Sequence, residues 1–78
     1  MDLRQVFARN LRRIRHAKGF SQESLAFEAD VNRSYMSKLE RGVSYPGLEI
    51  MGKLAAVLGV EPADLLKLPP KKVPPGKR

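Results

Sequence analysis

Residues able to do covalent chemistry are nearly absent from this chain. It holds no Cys, which excludes a disulfide frame, a thiolate metal site and a thiol nucleophile, and its one His, His16, stands alone. No two carboxylates share a face at general acid–base spacing, and no glycine-rich loop is placed to cradle a phosphate. What is concentrated instead is positive charge with hydrogen-bond donors. At helical spacing Arg33, Ser34, Ser37, Lys38 and Arg41 fall on one side of a short segment. The only acid there, Glu40, turns toward the opposite side. A face of Arg, Ser and Lys without acids can enter a groove walled by phosphates, where carboxylates would be repelled.

The overall charge points to the same kind of partner. The 78 residues carry 15 Lys and Arg against 8 Asp and Glu, a formal net charge of +7. Residues 1–18 hold six of those cations against Asp2 alone, and residues 69–78 hold Lys71, Lys72, Lys77 and Arg78 with no acid. The stretch between is close to balanced. Cations that neutralise phosphates release condensed counterions, so a polyanion suits such a surface; a basic surface that only aids solubility has the same composition. No apolar run nears the ~20 residues needed to span a bilayer. Arg4, Arg9, Arg12 and Arg13 have no apolar stretch behind them, unlike a secretory signal. The expectation is a soluble, intracellular protein without membrane contact.

Five helical segments must position the basic face. From Leu3 to Lys18 the apolar residues Leu3, Val6, Phe7, Leu11, Ile14 and Ala17 recur at helical spacing, with Arg9, Arg12, Arg13 and His16 opposite, until Gly19. Ser21 caps a second helix, with Leu25, Ala26 and Ala29 inward and Glu23 near its positive end. Asp30 and Val31 turn the chain, and Asn32 caps a third helix running to about Arg41, with Met36 and Leu39 inward and Gly42 at its end. After a loop at Val43–Gly47, a fourth helix places Leu48, Met51, Leu54, Ala55 and Leu58 on one stripe and stops at Gly59. Pro62 suits the start of a fifth, short helix with Leu65 and Leu66. Nothing alternates like a strand and nothing repeats. The reading is an all-α domain over residues 1–68, followed by a basic, Pro-rich, flexible tail at 69–78.

Within that frame Gln22 to Arg41 forms a corner. Ala26 lies where two helices pass closest and only a small side chain fits, and Asp30 falls where the backbone takes a positive φ. Leu25, Ala29, Val31, Met36 and Leu39 pin the two helices at a fixed angle, which frees the outer face of the second of them.

The strings Leu11-Arg12-Arg13-Ile14-Arg15, Gly19-Phe20-Ser21-Gln22-Glu23, Leu25-Ala26, Tyr35-Met36-Ser37-Lys38-Leu39-Glu40-Arg41-Gly42, Pro46 and Leu54-Ala55-Ala56-Val57-Leu58-Gly59-Val60 stand in one order. They resemble the Cro/CI-type (lambda-repressor-like, xenobiotic-response-element) helix-turn-helix family over Val6 to Leu66. Four positions depart from the family pattern: Asp30 replaces the usual turn Gly, Gly47 and Glu61 replace the usual caps of the fourth and fifth helices, and Ala8 stands where many relatives carry Gly, which favours helix.

The resemblance implies a compact five-helix lambda-repressor-like domain and a regulator of transcription that binds double-stranded DNA, with the second and third helices as the helix-turn-helix. It implies base readout by Arg33, Ser34, Ser37 and Lys38, and phosphate contacts from Gln22, Asn32, Tyr35, Arg41 and Ser44. Arg15 and Glu40 match a family pair that links the first and third helices. One module reads only a few base pairs, so a homodimer on a palindromic operator is expected, with half-sites one turn (~34 Å) apart. Ile50, Val57, Val60 and Leu65 are the candidate dimer patch. No enzyme activity, metal, cofactor or small-molecule ligand is expected, and the implied setting is the cytoplasm of a prokaryote or phage host, at the nucleoid. The length suggests a small stand-alone repressor or activator, Cro-like or like a restriction–modification controller. An antitoxin-type autoregulator and a protein–protein adaptor on the same fold remain open alternatives.

Overall fold

Asp2 opens the first helix by accepting the Arg4 backbone N–H on its carboxylate at 2.9 Å. In the computed structural model, which describes residues 2–68, four α-helices follow one another: α1 (Leu3–Ala17), α2 (Gln22–Glu28), α3 (Arg33–Glu40) and α4 (Leu48–Leu58). The expected fifth helix is instead a 3₁₀ turn at Pro62–Leu66. The segment is only five residues long, and i→i+3 closure takes the place of a full α-helical turn. The Asp64 carboxylate accepts the Glu61 N–H at 3.0 Å and holds its start. The tail expected at 69–78 lies outside the described residues.

Three of the four α-helices begin on a side-chain cap, and all four end on a left-handed residue. Ser21 and Ser24 cap α2 reciprocally, the Ser21 hydroxyl accepting the Ser24 N–H at 2.9 Å and the Ser24 hydroxyl accepting the Ser21 N–H at 3.0 Å. The Asn32 side-chain oxygen accepts the Tyr35 N–H at 3.1 Å and caps α3, whereas Gly47 offers α4 no side-chain cap. At the C-termini the chain swings into the left-handed region at Gly19, Asp30, Gly42 and Gly59, and the N–H one residue later returns to a carbonyl in the last turn. Asp30, with φ +56°, is the one non-glycine residue among the described positions to do so.

α1 packs against α3 and the 3₁₀ turn, α2 against α3, and α4 against the 3₁₀ turn. Phe7, Leu11, Leu25, Met36, Leu39, Leu54, Leu58 and Leu65 are fully buried between them. Each such side chain contributes about 1.5–3 kcal/mol through removal from water. One polar residue sits among them. Asn10, 1% exposed, donates from its amide to the carbonyls of Leu65 (3.0 Å) and Lys67 (2.8 Å), and its oxygen accepts from Arg13 Nη2 (3.2 Å). It fastens the last described turn to α1.

Two stability changes follow. Asn10→Ala strands two carbonyls beneath the 3₁₀ turn and lowers unfolding free energy by about 2 kcal/mol in urea titration; an unchanged midpoint would remove Asn10 from this role. Asp30→Gly relieves the side-chain penalty at positive φ and raises stability by about 1 kcal/mol in the same assay, so a loss there contradicts the strain argument.

Candidate nucleic-acid interface

The outer side of α3 is open because its inner side is fully used. Met36 and Leu39 are buried in the core, while Arg33, Ser34 and Lys38 are exposed and Ser37 is half-buried. α3 is eight residues long, too short to persist alone, so its position is set by what it packs on. Glu40, the single acid of α3, is 4% exposed and points into the molecule.

Glu40 is the hub of that placement. Its carboxylate accepts from Arg15 Nε at 2.6 Å and Arg15 Nη2 at 3.0 Å, and from the Gln22 amide at 3.1 Å. Arg15 Nη1 meanwhile donates to the Phe20 carbonyl at 2.9 Å, and Arg12 Nη1 donates to the Glu40 carbonyl at the end of α3. One residue of α3 is thus tied to α1 twice, and to the start of α2 once. A buried carboxylate needs such partners, because the desolvation of an unpaired charge is prohibitive.

The loop after α3 is held as firmly. Gln5 Nε2 donates to the Gly42 carbonyl at 3.3 Å, and the Tyr35 hydroxyl donates to the Tyr45 carbonyl at 2.9 Å. A side chain at position 42 would collide with the Gln5 amide as well as strain φ +72°. The Arg4 guanidinium lies 5.0 Å from the Tyr45 ring centroid. It also pairs with Asp2, whose carboxyl is held below the usual carboxylate range by hydrogen bonds from the Arg4 side chain and backbone.

The positions singled out in the sequence therefore fall as follows. Arg33, Ser34, Lys38, Asn32 and Arg41 are exposed on or beside α3, and Ser44 is half-buried in the following loop. Arg33 Nη1 lies 4.0 Å from Glu23 Oε1, a loose contact between two exposed side chains. Gln22 faces Glu40, Tyr35 reaches Tyr45, and Arg41 Nε approaches the Ser37 carbonyl at 3.4 Å. Leu65 does not join Ile50, Val57 and Val60 at the surface: it is 0% exposed and belongs to the core, whereas those three are half-buried at its edge. The reason is the 3₁₀ closure, which turns Leu65 inward between α1 and α4.

Three contributors escaped the sequence reading. Asn10 carried a signal, being a polar residue on an otherwise apolar helical stripe. Arg12 carried none, since it shares the basic face of α1 with Arg9 and Arg13. The Arg4–Tyr45 contact joins residues 41 positions apart, which no local pattern announces.

Comparison with known proteins agrees with this geometry. A family model described as Helix-turn-helix matches residues 11–65. The chain belongs to the Cro/CI-type helix-turn-helix family of DNA-binding transcriptional regulators. Among its relatives, the control protein C.BamHI of Bacillus amyloliquefaciens is 44% identical over 66 residues, spanning 83% of this chain and 82% of that protein. The crystal structure of the restriction-modification controller protein C.AhdI of Aeromonas hydrophila superposes with a TM-score of 0.76 at 44% identity, covering 80% of this chain and 94% of that one. The DNA-binding domain of SinR from Bacillus subtilis gives a TM-score of 0.78 at 32% identity, over 82% of this chain and 94% of that one. Among the described residues no helix is long and apolar enough to cross a membrane, and no group of His, Asp and Glu is arranged to hold a metal.

Breaking one side of the hub should be worse than removing it. Arg15→Met or Glu40→Met alone leaves a buried charge without its partner and costs about 3–5 kcal/mol, whereas the double variant recovers most of that loss. Thermal unfolding of the three variants checks this, and additive losses in the double variant contradict it.

Proposed function

We propose that two copies of this chain bind an inverted-repeat operator, each laying α3 in the major groove of one half-site, and so control transcription by binding alone. The observation that carries the reading is the asymmetry of α3: Glu40, its single acid, is buried and paired, while Arg33, Ser34 and Lys38 stand in solvent. In this arrangement Arg33 and Ser34, at the N-terminal end of α3, read base edges, with Ser37 and Lys38 one turn further along. Gln22, Asn32, Tyr35, Arg41 and Ser44 flank that row and meet phosphates.

The dimer rests on α4, where Ile50 and Val57 lie seven residues apart beside half-buried Val60. The likeness to C.BamHI and C.AhdI, a control protein and a restriction-modification controller by name, supports a controller-type role in the cytoplasm of a bacterial or phage-infected cell.

Selection of bound sites from randomised duplex DNA at two salt concentrations tests the proposal. It predicts an inverted repeat with half-sites about one helical turn (~34 Å) apart. Binding that shows no sequence preference and simply fades with salt would reduce the protein to a generic polycation. Within the recovered site, Arg33→Ala should relax the choice at one base pair by about 1–3 kcal/mol. Mutation of Arg41, assigned to phosphate, should instead weaken all sequences alike.

A further inference from the structure

The N-terminal end of α1 meets the loop after α3. Arg4 is built into that junction. Its guanidinium lies over the Tyr45 ring at 5.0 Å, a cation–π distance. The carbonyl of Tyr45 in turn accepts the hydroxyl of Tyr35 from α3 at 2.9 Å. Next to it, Gln5 fixes the same loop through the Gly42 carbonyl. Arg4 is therefore linked to α3 through two contacts, by way of the loop that follows it.

Its donors are unevenly used. An arginine offers five N–H groups in a rigid fork. Asp2 takes Nε at 3.2 Å and Nη2 at 2.9 Å, and Nη1 has no protein acceptor among the described residues. The two side chains are 36% and 38% exposed, so water and a passing phosphate both reach the pair. A stacked, preoriented guanidinium with a free edge beside a DNA-binding helix is suited to a phosphate oxygen. The carboxylate beside it cancels most of its charge and repels the same phosphate.

The geometry points to Arg4 as an additional phosphate contact at the outer end of each half-site, with Asp2 as a built-in brake on its strength. The inference rests on the docking of α3 and its loop against DNA. Its consequence is uniform: a phosphate contact strengthens binding to every sequence, so an acid that weakens it lowers affinity for all DNA while leaving base readout by α3 intact. For a chain with a net charge of +7, such a brake limits capture by random DNA.

Fluorescence anisotropy with the selected operator duplex and a scrambled duplex, each over a range of salt, tests this with four proteins: wild type, Asp2→Asn, Arg4→Ala and the double variant. Asn caps a helix as well as Asp does, so Asp2→Asn removes the charge and keeps the cap. Circular dichroism melting of each variant without DNA establishes that the fold is retained. Asp2→Asn should bind both duplexes several-fold more tightly with the operator-to-scrambled ratio unchanged, while Arg4→Ala should weaken both to the same degree. The plot of log affinity against log salt should be steeper for Asp2→Asn than for the double variant by about 0.9, the value for one phosphate. Wild-type affinity and slope in both single variants, or weaker binding by Asp2→Asn, would overturn the proposal. Arg33→Ala in the same assay separates this failure from failure of the DNA docking itself. If Arg33→Ala loses operator preference while Arg4 and Asp2 variants do not differ from wild type, only the role of Arg4 falls.

Discussion

A single buried carboxylate sets the geometry of the molecule. Glu40 lies where three helices meet, and its charge is tolerable there because Arg15 pairs with it in bidentate fashion while Gln22 donates a further hydrogen bond. Such a pair adds little net stability compared with apolar residues of equal volume. What it adds is a directional requirement. Dispersion and burial would accept several rotations of a short helix, whereas a forked ion pair with a third donor accepts one. No buried side-chain polar atom among the described residues lacks a partner, so the hub is complete.

The rest of the site follows from that fixed rotation. With Glu40, Met36 and Leu39 directed inward and Tyr35 half-buried at the core edge, the residues of α3 left for the outer side are Arg33, Ser34, Ser37 and Lys38. The loop beyond is pinned from α1 by Gln5 and Arg4 and from α3 by Tyr35. Both are therefore presented as one rigid surface, which spares the ordering entropy that a mobile reading head would lose on binding.

Much of this could be read from the chain before any coordinates, for identifiable reasons. The helices were legible because apolar periodicity is long in α1 and α4, and because Gly19, Gly42 and Gly59 mark ends where the backbone must turn left-handed. The corner was legible from the small Ala26 and from Asp30, whose φ of +56° needs a residue tolerant of that region. Arg15 and Glu40, 25 residues apart, have no local signature and were visible only through the family resemblance. The last segment misled: Pro62 and Leu65 suit the start of an α-helix as well as a 3₁₀ turn, and five residues are too few to sustain α-helical closure. Leu65 went inward for the same reason. The Arg4–Tyr45 contact arises only once two distant segments are folded together.

Sequence-specific binding by this chain requires α3 to be held so that Arg33 meets a base edge. A double-mutant cycle measures this directly: each guanine of the operator is replaced in turn by 7-deazaguanine, which lacks the N7 acceptor, and affinity is compared for the wild-type chain and Arg33→Ala. The structure predicts one guanine per half-site whose replacement weakens the wild type but not the variant, with a coupling of about 1–3 kcal/mol. Additive effects at every guanine would place Arg33 on the phosphate backbone and contradict the account.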